Sequence, residues 1–99
     1  GVKAMFLHVI SAEYIEDYKI EILFNNGSKG VVNLDDTLNG TIFNELRNKS
    51  EFKKFEVNTD LETVVWSNGA DLAPEYLYFQ AFKDNIKLQS QFKQWGYIT

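Results

Sequence analysis

The 99 residues include no cysteine, one proline, one histidine and one methionine. Without cysteine there are no disulfides and no thiolate metal sites, so packing alone must hold the fold. The same lack suits a reducing compartment, and a cytoplasmic location is expected. The lone histidine, His8, sits in an apolar stretch with no serine or cysteine nucleophile motif beside it. It reads as a structural residue rather than a general base. No catalytic residue is assigned, and the chain is expected not to be an enzyme. Glu16-Asp17 and Asp35-Asp36 are adjacent pairs without the spaced ligands of a calcium loop, so neither a metal nor a cofactor is expected. The six glycines are scattered and open no phosphate-cradling loop. No stretch approaches the ~20 apolar residues of a membrane helix. The longest apolar run, Ala4 to Ile10, is interrupted by His8 and lacks the basic start and cleavage site of a signal peptide. No membrane partner is expected.

Fourteen carboxylates outnumber ten cations, for a formal net charge of −4. Broad phosphate binding draws on excess lysine and arginine, so direct nucleic-acid contact is not expected either. The one basic cluster noted is Arg47, Lys49, Lys53 and Lys54, interleaved with Phe52 and Phe55. Those two rings read as core anchors rather than base-stacking platforms.

What is present describes one small domain. Aromatic residues make up 15% of the chain, so a few large rings must fill much of the core. Val2 to Ile10 is apolar without a clear period and is expected to be a central strand covered on both faces. Tyr18, Ile20, Ile22 and Phe24 alternate with Lys19, Glu21 and Leu23, the period of a half-buried strand. Asn25-Asn26-Gly27 marks a hairpin turn. A three-residue loop with Gly27 left-handed sets Val32 against Ile20 and Gly30 against Ile22, which keeps the apolar face continuous. Thr41 and Ser50 are candidate caps for two short helical turns, the second bearing Phe52. Phe55 and Val57, then Val64 and Trp66, predict a second hairpin. A Pro74-led helix follows, with Asp71 as the expected acceptor at its start. Asp84-Asn85 then breaks the helix, and Gly96 ends a second one.

The stretch Trp66-Ser67-Asn68-Gly69-Ala70-Asp71-Leu72-Ala73-Pro74-Glu75-Tyr76-Leu77-Tyr78 is distinctive. Together with Tyr18 to Phe24, the Asn-Gly turn, Val32-Asn33-Leu34 and Phe52 to Val57, it resembles the bacterial domain-of-unknown-function 2442 family over about Val9 to Tyr78. Ser67 stands where that family commonly has proline. The resemblance implies an α+β fold with an antiparallel sheet and no known activity. In some longer relatives a similar domain precedes a helix-turn-helix, and others resemble companions of a regulator or toxin. A chain of this length is expected to lack room for that appendage, so DNA contact is expected only through a partner.

These readings give an α+β domain with a mainly antiparallel sheet of about five strands, short helices on one side and a helical tail. Residues 1–78 are expected to form the core and residues 79–99 an aromatic-rich extension of it. The expected function is a non-enzymatic protein-interaction module, with small-molecule or nucleic-acid binding as the alternative. In the motif, Trp66, Asn68, Gly69, Asp71 and Pro74 read as structural. In the tail, Phe92, Trp95 and Tyr97 are the candidate interaction residues, either in a homodimer or against a protein encoded nearby.

Overall fold

The computed structural model of the protein describes residues 6–99. Strands β1 (Val9–Glu16), β2 (Lys19–Phe24) and β3 (Lys29–Asn33) precede the short helices α1 (Thr41–Asn44) and α2 (Lys49–Phe52), joined by a 3-10 turn. Strands β4 (Glu56–Asn58) and β5 (Thr63–Val65) follow, then helices α3 (Pro74–Phe82) and α4 (Gln89–Trp95). The fold is α+β and its strands pair antiparallel. The five strands, however, divide between a three-stranded sheet, β1-β2-β3, and a separate β4-β5 hairpin.

The β2–β3 hairpin follows from the alternating pattern. Ile20 pairs with Val32 and Ile22 with Gly30. Gly27 takes a φ of 86°, a left-handed conformation that costs glycine least. One face of this hairpin, made of Ile20, Ile22, Phe24, Val32 and Leu34, is at most 1% exposed. Gly30 has a use its pairing partner does not reveal. A Cβ there would stand 2.9 Å from the tip of the Phe82 ring and 3.2 Å from the Ala81 methyl. The missing side chain lets α3 lie against β3. Gly30→Ala should therefore lower stability by about 1–2 kcal/mol in thermal denaturation. The overlap costs ~1–3 kcal/mol, and stiffening the unfolded chain returns only ~0.4–1 kcal/mol. An equally stable variant would mean that α3 can withdraw freely.

The first strand departs from expectation. Residues 2–5 of the stretch read as a central strand lie outside the described residues, and 6–8 are not in a strand. β1 instead begins at Val9 and carries register shifts between Val9 and Ser11 and between Tyr14 and Glu16. Ile10 and Ile15, the extra residues at these bulges, are half exposed. A bulge re-aims the side chains that follow it, so Ala12 and Tyr14 pack against the core.

Three expected caps are corrected. Gly40 precedes α1, and Thr41 is already helical. Asn48, not Ser50, caps α2 by accepting the Ser50 N–H. Ala73 precedes α3, which begins at Pro74 with no side-chain cap. Each of these side chains was one or two residues out of step with the N-terminal donor it was expected to satisfy. The second hairpin forms as expected, with Val57 opposite Val64. Asn58 Oδ1 holds its turn by accepting the N–H groups of Asp60 and Leu61.

The division at residue 78 falls inside α3. Beyond it the chain does not leave the core: Phe92 is 0% exposed and belongs to the central apolar cluster with Leu77 and Tyr78. Gly96, with φ 88°, ends α4. Its N–H reaches the Lys93 carbonyl, and the Tyr97 N–H reaches that of Phe92, a left-handed cap that turns Tyr97 back.

Candidate functional site

The Trp66–Tyr78 motif clasps the short helices to the second hairpin. The buried Trp66 indole donates to the Phe52 carbonyl at 2.8 Å. Asn68 Oδ1 accepts the Ala70 N–H, while its Nδ2 donates to the Ile42 carbonyl at 2.9 Å and to Glu45. Gly69, at φ 91°, allows the Trp66 N–H to reach the Ala70 carbonyl. Asp71 instead lies in a bridge to Val65 and is exposed, so the cost of a lost helix cap does not attach to it.

A cleft of about 260 Å³ opens where four segments meet. Leu7 comes from the lead into β1, Asn25 and Asn26 from the hairpin turn, and Tyr78 from α3. Leu88, Gln91 and Trp95 come from the second helical segment, which runs from the 3-10 turn Ile86–Leu88 into α4. The turn is fastened first. Asn25 accepts the His8 N–H at 2.9 Å and donates to the Phe6 carbonyl at 2.8 Å. Asn26 Oδ1 accepts the Ser28 N–H, and its Nδ2 donates to the Tyr78 hydroxyl at 3.3 Å. The Tyr78 and Trp95 rings stand edge to face with centroids 6.1 Å apart. Among the described residues, neither the Gln91 carboxamide nor the Trp95 indole N–H makes a hydrogen bond within the chain, so both can serve a visitor. Among the described residues, no lining side chain is charged.

The tail candidates separate. Phe92 packs against Tyr78, Phe79 and Trp95. A fully buried ring cannot supply the exposed dimer patch expected of it. Tyr97 stacks on Phe79 at 5.0 Å and 12°. Burial, with Glu75 nearby, pushes its phenol above the usual tyrosine value. Only Trp95 of the three lines the cleft.

The basic cluster is largely neutralised. Arg47 bonds Asp35 at 2.6 Å and Lys49 bonds Asp17 at 3.0 Å, with both cations over the Tyr18 ring. The pairing holds the Asp17 carboxyl below its usual range and raises the Lys49 ammonium. His8 Nδ1 lies 3.2 Å from the Phe6 carbonyl and 3.7 Å from the Glu62 carboxylate, with no hydroxyl bonded to it among the described residues. There is also no cluster of metal-ligating side chains and no helix long and apolar enough to cross a membrane among those residues.

The model of the family described as protein of unknown function (DUF2442) matches residues 9–83, and the chain belongs to that family. No curated protein matches it. In fold it is similar to the crystal structure of a putative DNA binding protein from Nitrosomonas europaea, with a TM-score of 0.73 at 12% identity. That likeness takes in 100% of this chain and 66% of the other, so this chain spans just under two thirds of its length. A protein so described on this fold overturns the exclusion of direct nucleic-acid contact. That exclusion rested on net charge, whereas contact depends on how the charge is distributed.

Proposed function

We propose that this domain is a non-enzymatic interaction module that takes an uncharged side chain of a partner protein into the cleft between the Asn25-Asn26 turn and α4. The supporting observation is the cleft's lining among the described residues: apolar and aromatic walls, Gln91 and Trp95 groups that make no hydrogen bond there, and no charged side chain. A leucine or phenylalanine side chain suits the walls, and the neighbouring peptide carbonyl suits the two donors. Exposed Phe6 and Ile86, each one or two residues from a lining residue, extend apolar surface to either side.

The test is a nuclear magnetic resonance titration of the full chain with N-acetyl amides of leucine, phenylalanine, lysine and glutamate. The first two should shift the Trp95 indole proton and the Asn26 and Gln91 amide protons, and the charged pair should not. Equal shifts from all four, or none at these positions, would reject the cleft as the site.

Nucleic-acid binding is a second reading, favoured by the description of the Nitrosomonas europaea protein. It calls for a different surface, because phosphate contact draws chiefly on lysine and arginine and none lines the cleft among the described residues.

A further inference from the structure

Charge is unevenly shared along this acidic chain. Residues 79–99 carry three lysines, Lys83, Lys87 and Lys93, against one carboxylate, Asp84. Elsewhere most cations are already committed. Lys19, Lys29, Arg47, Lys49 and Lys54 each lie within 4.0 Å of a carboxylate, and Lys53 stands over the Tyr14 ring. Among the described residues, none of the three tail lysines makes an ion pair, and residues 1–5 include no carboxylate side chain to offer one.

These lysines lie on adjoining segments: Lys83 at the end of α3, Lys87 in the 3-10 turn Ile86–Leu88 and Lys93 in α4. Gln89 Nε2 donates to the Lys83 carbonyl at 2.9 Å and to the Asn85 carbonyl at 2.8 Å, fastening the interhelical loop to the first turn of α4. Lys93 lies one turn on from Gln89, on the same helical face. The second helical segment turns Leu88, Phe92 and Trp95 inward, leaving Lys87, Ser90, Lys93 and Gln94 exposed.

We infer that this outer face of α4, with Lys83 and Lys87 at its entrance, docks on the phosphate backbone of a nucleic acid. Free ammonium groups flanked by a hydroxyl and carboxamides suit phosphate oxygens. A membrane surface fits less well, because an interfacial helix turns its apolar side outward and that side of α4 is spent on its own core. An acidic protein would need an apolar interface centre, and among the described residues Ile86 is the one large apolar side chain of residues 79–99 that is exposed. The acidic remainder of the domain, with seven cations against thirteen carboxylates, is repelled by a polyanion, so the tail is the end that approaches. Lys87 and Lys93 lie beyond the residues matched by the family model, so the family match does not itself supply this face. It is independent of the cleft.

The experiment is fluorescence anisotropy of a dye-labelled DNA duplex of mixed sequence, titrated with the full chain across a range of salt concentrations. Three phosphates neutralised give a log–log salt slope of about −2.7, or roughly 40-fold weaker binding between ~50 and ~200 mM salt. K83Q/K87Q/K93Q should weaken binding at low salt at least tenfold with an unchanged circular dichroism spectrum. K49Q/K53Q/K54Q should leave it within about twofold. Absence of binding at low salt overturns the inference, as does a loss shared equally by both triple variants. Tighter capture by phosphatidylserine vesicles or polyglutamate than by the duplex overturns it as well, and assigns the face to that partner.

Discussion

Phe92→Ala should destabilise the full chain by about 3–5 kcal/mol, the usual cost of deleting a fully buried ring. For a domain of this size each kcal/mol is worth ~4–8 °C of melting temperature, so the transition should fall by more than ~12 °C. The reason lies in what Phe92 holds. It meets Phe79 at 5.1 Å and Tyr78 at 6.3 Å, and so ties the last helix to the one packed on the sheet. Phe92→Leu retains most of the buried volume and should lose less than about 1.5 kcal/mol if the site repacks well. Thermal melts followed by circular dichroism separate the two variants. An unchanged melt for Phe92→Ala would mean that α4 already lifts from the core in solution.

The other large effect is expected at Phe52. Its ring is 0% exposed and contacts four others: Tyr14, Tyr18, Phe55 and Trp66, with centroids 5.3–6.4 Å away. Its carbonyl also receives the Trp66 indole N–H. Phe52→Ala should cost about 3–5 kcal/mol from the lost ring and the cavity. The neighbours come from β1, the β1–β2 turn, the chain after α2 and the chain after β5, and they cannot all collapse inward together. Urea denaturation is the direct measurement. A loss below about 2 kcal/mol would show that the surrounding rings close the gap, contrary to the expected behaviour of a rigid aromatic cluster.

The parts of this fold that sequence discloses are those where one physical signal acts alone. Ile20, Ile22 and Phe24 alternate without interruption, and Gly27 marks the turn, so the β2–β3 register is legible down to the Gly30–Ile22 pair. β1 is not legible, because bulges at Ile10 and Ile15 shift the inward face twice within eight residues. Ala12, half of what remains of that face, gives a weak hydrophobic signal. The cap errors arise from competition among polar neighbours. Thr41, Ser50 and Asp71 are all acceptable caps by type, and backbone geometry places each just off the helix end. The cleft could not be read at all, since Asn25, Tyr78, Leu88 and Trp95 converge only after the hairpin and both helices have packed. The tail lysines did leave a trace. Counting charge segment by segment, rather than over the whole chain, separates Lys83, Lys87 and Lys93 from the acidic remainder.

The two tryptophans sit in settings that make them distinct optical reporters. Trp66 is 3% exposed with its indole N–H bonded to a carbonyl, so iodide cannot reach it while the domain is folded. Trp95 is half-buried on the wall of an open cleft, where a water-borne quencher can. Steady-state emission is therefore a sum of two components that respond to different events. The shielded one follows the integrity of the aromatic cluster around Phe52, and the quenchable one follows occupancy of the cleft. Unlabelled protein thus carries separate spectroscopic readouts of unfolding and of ligand entry.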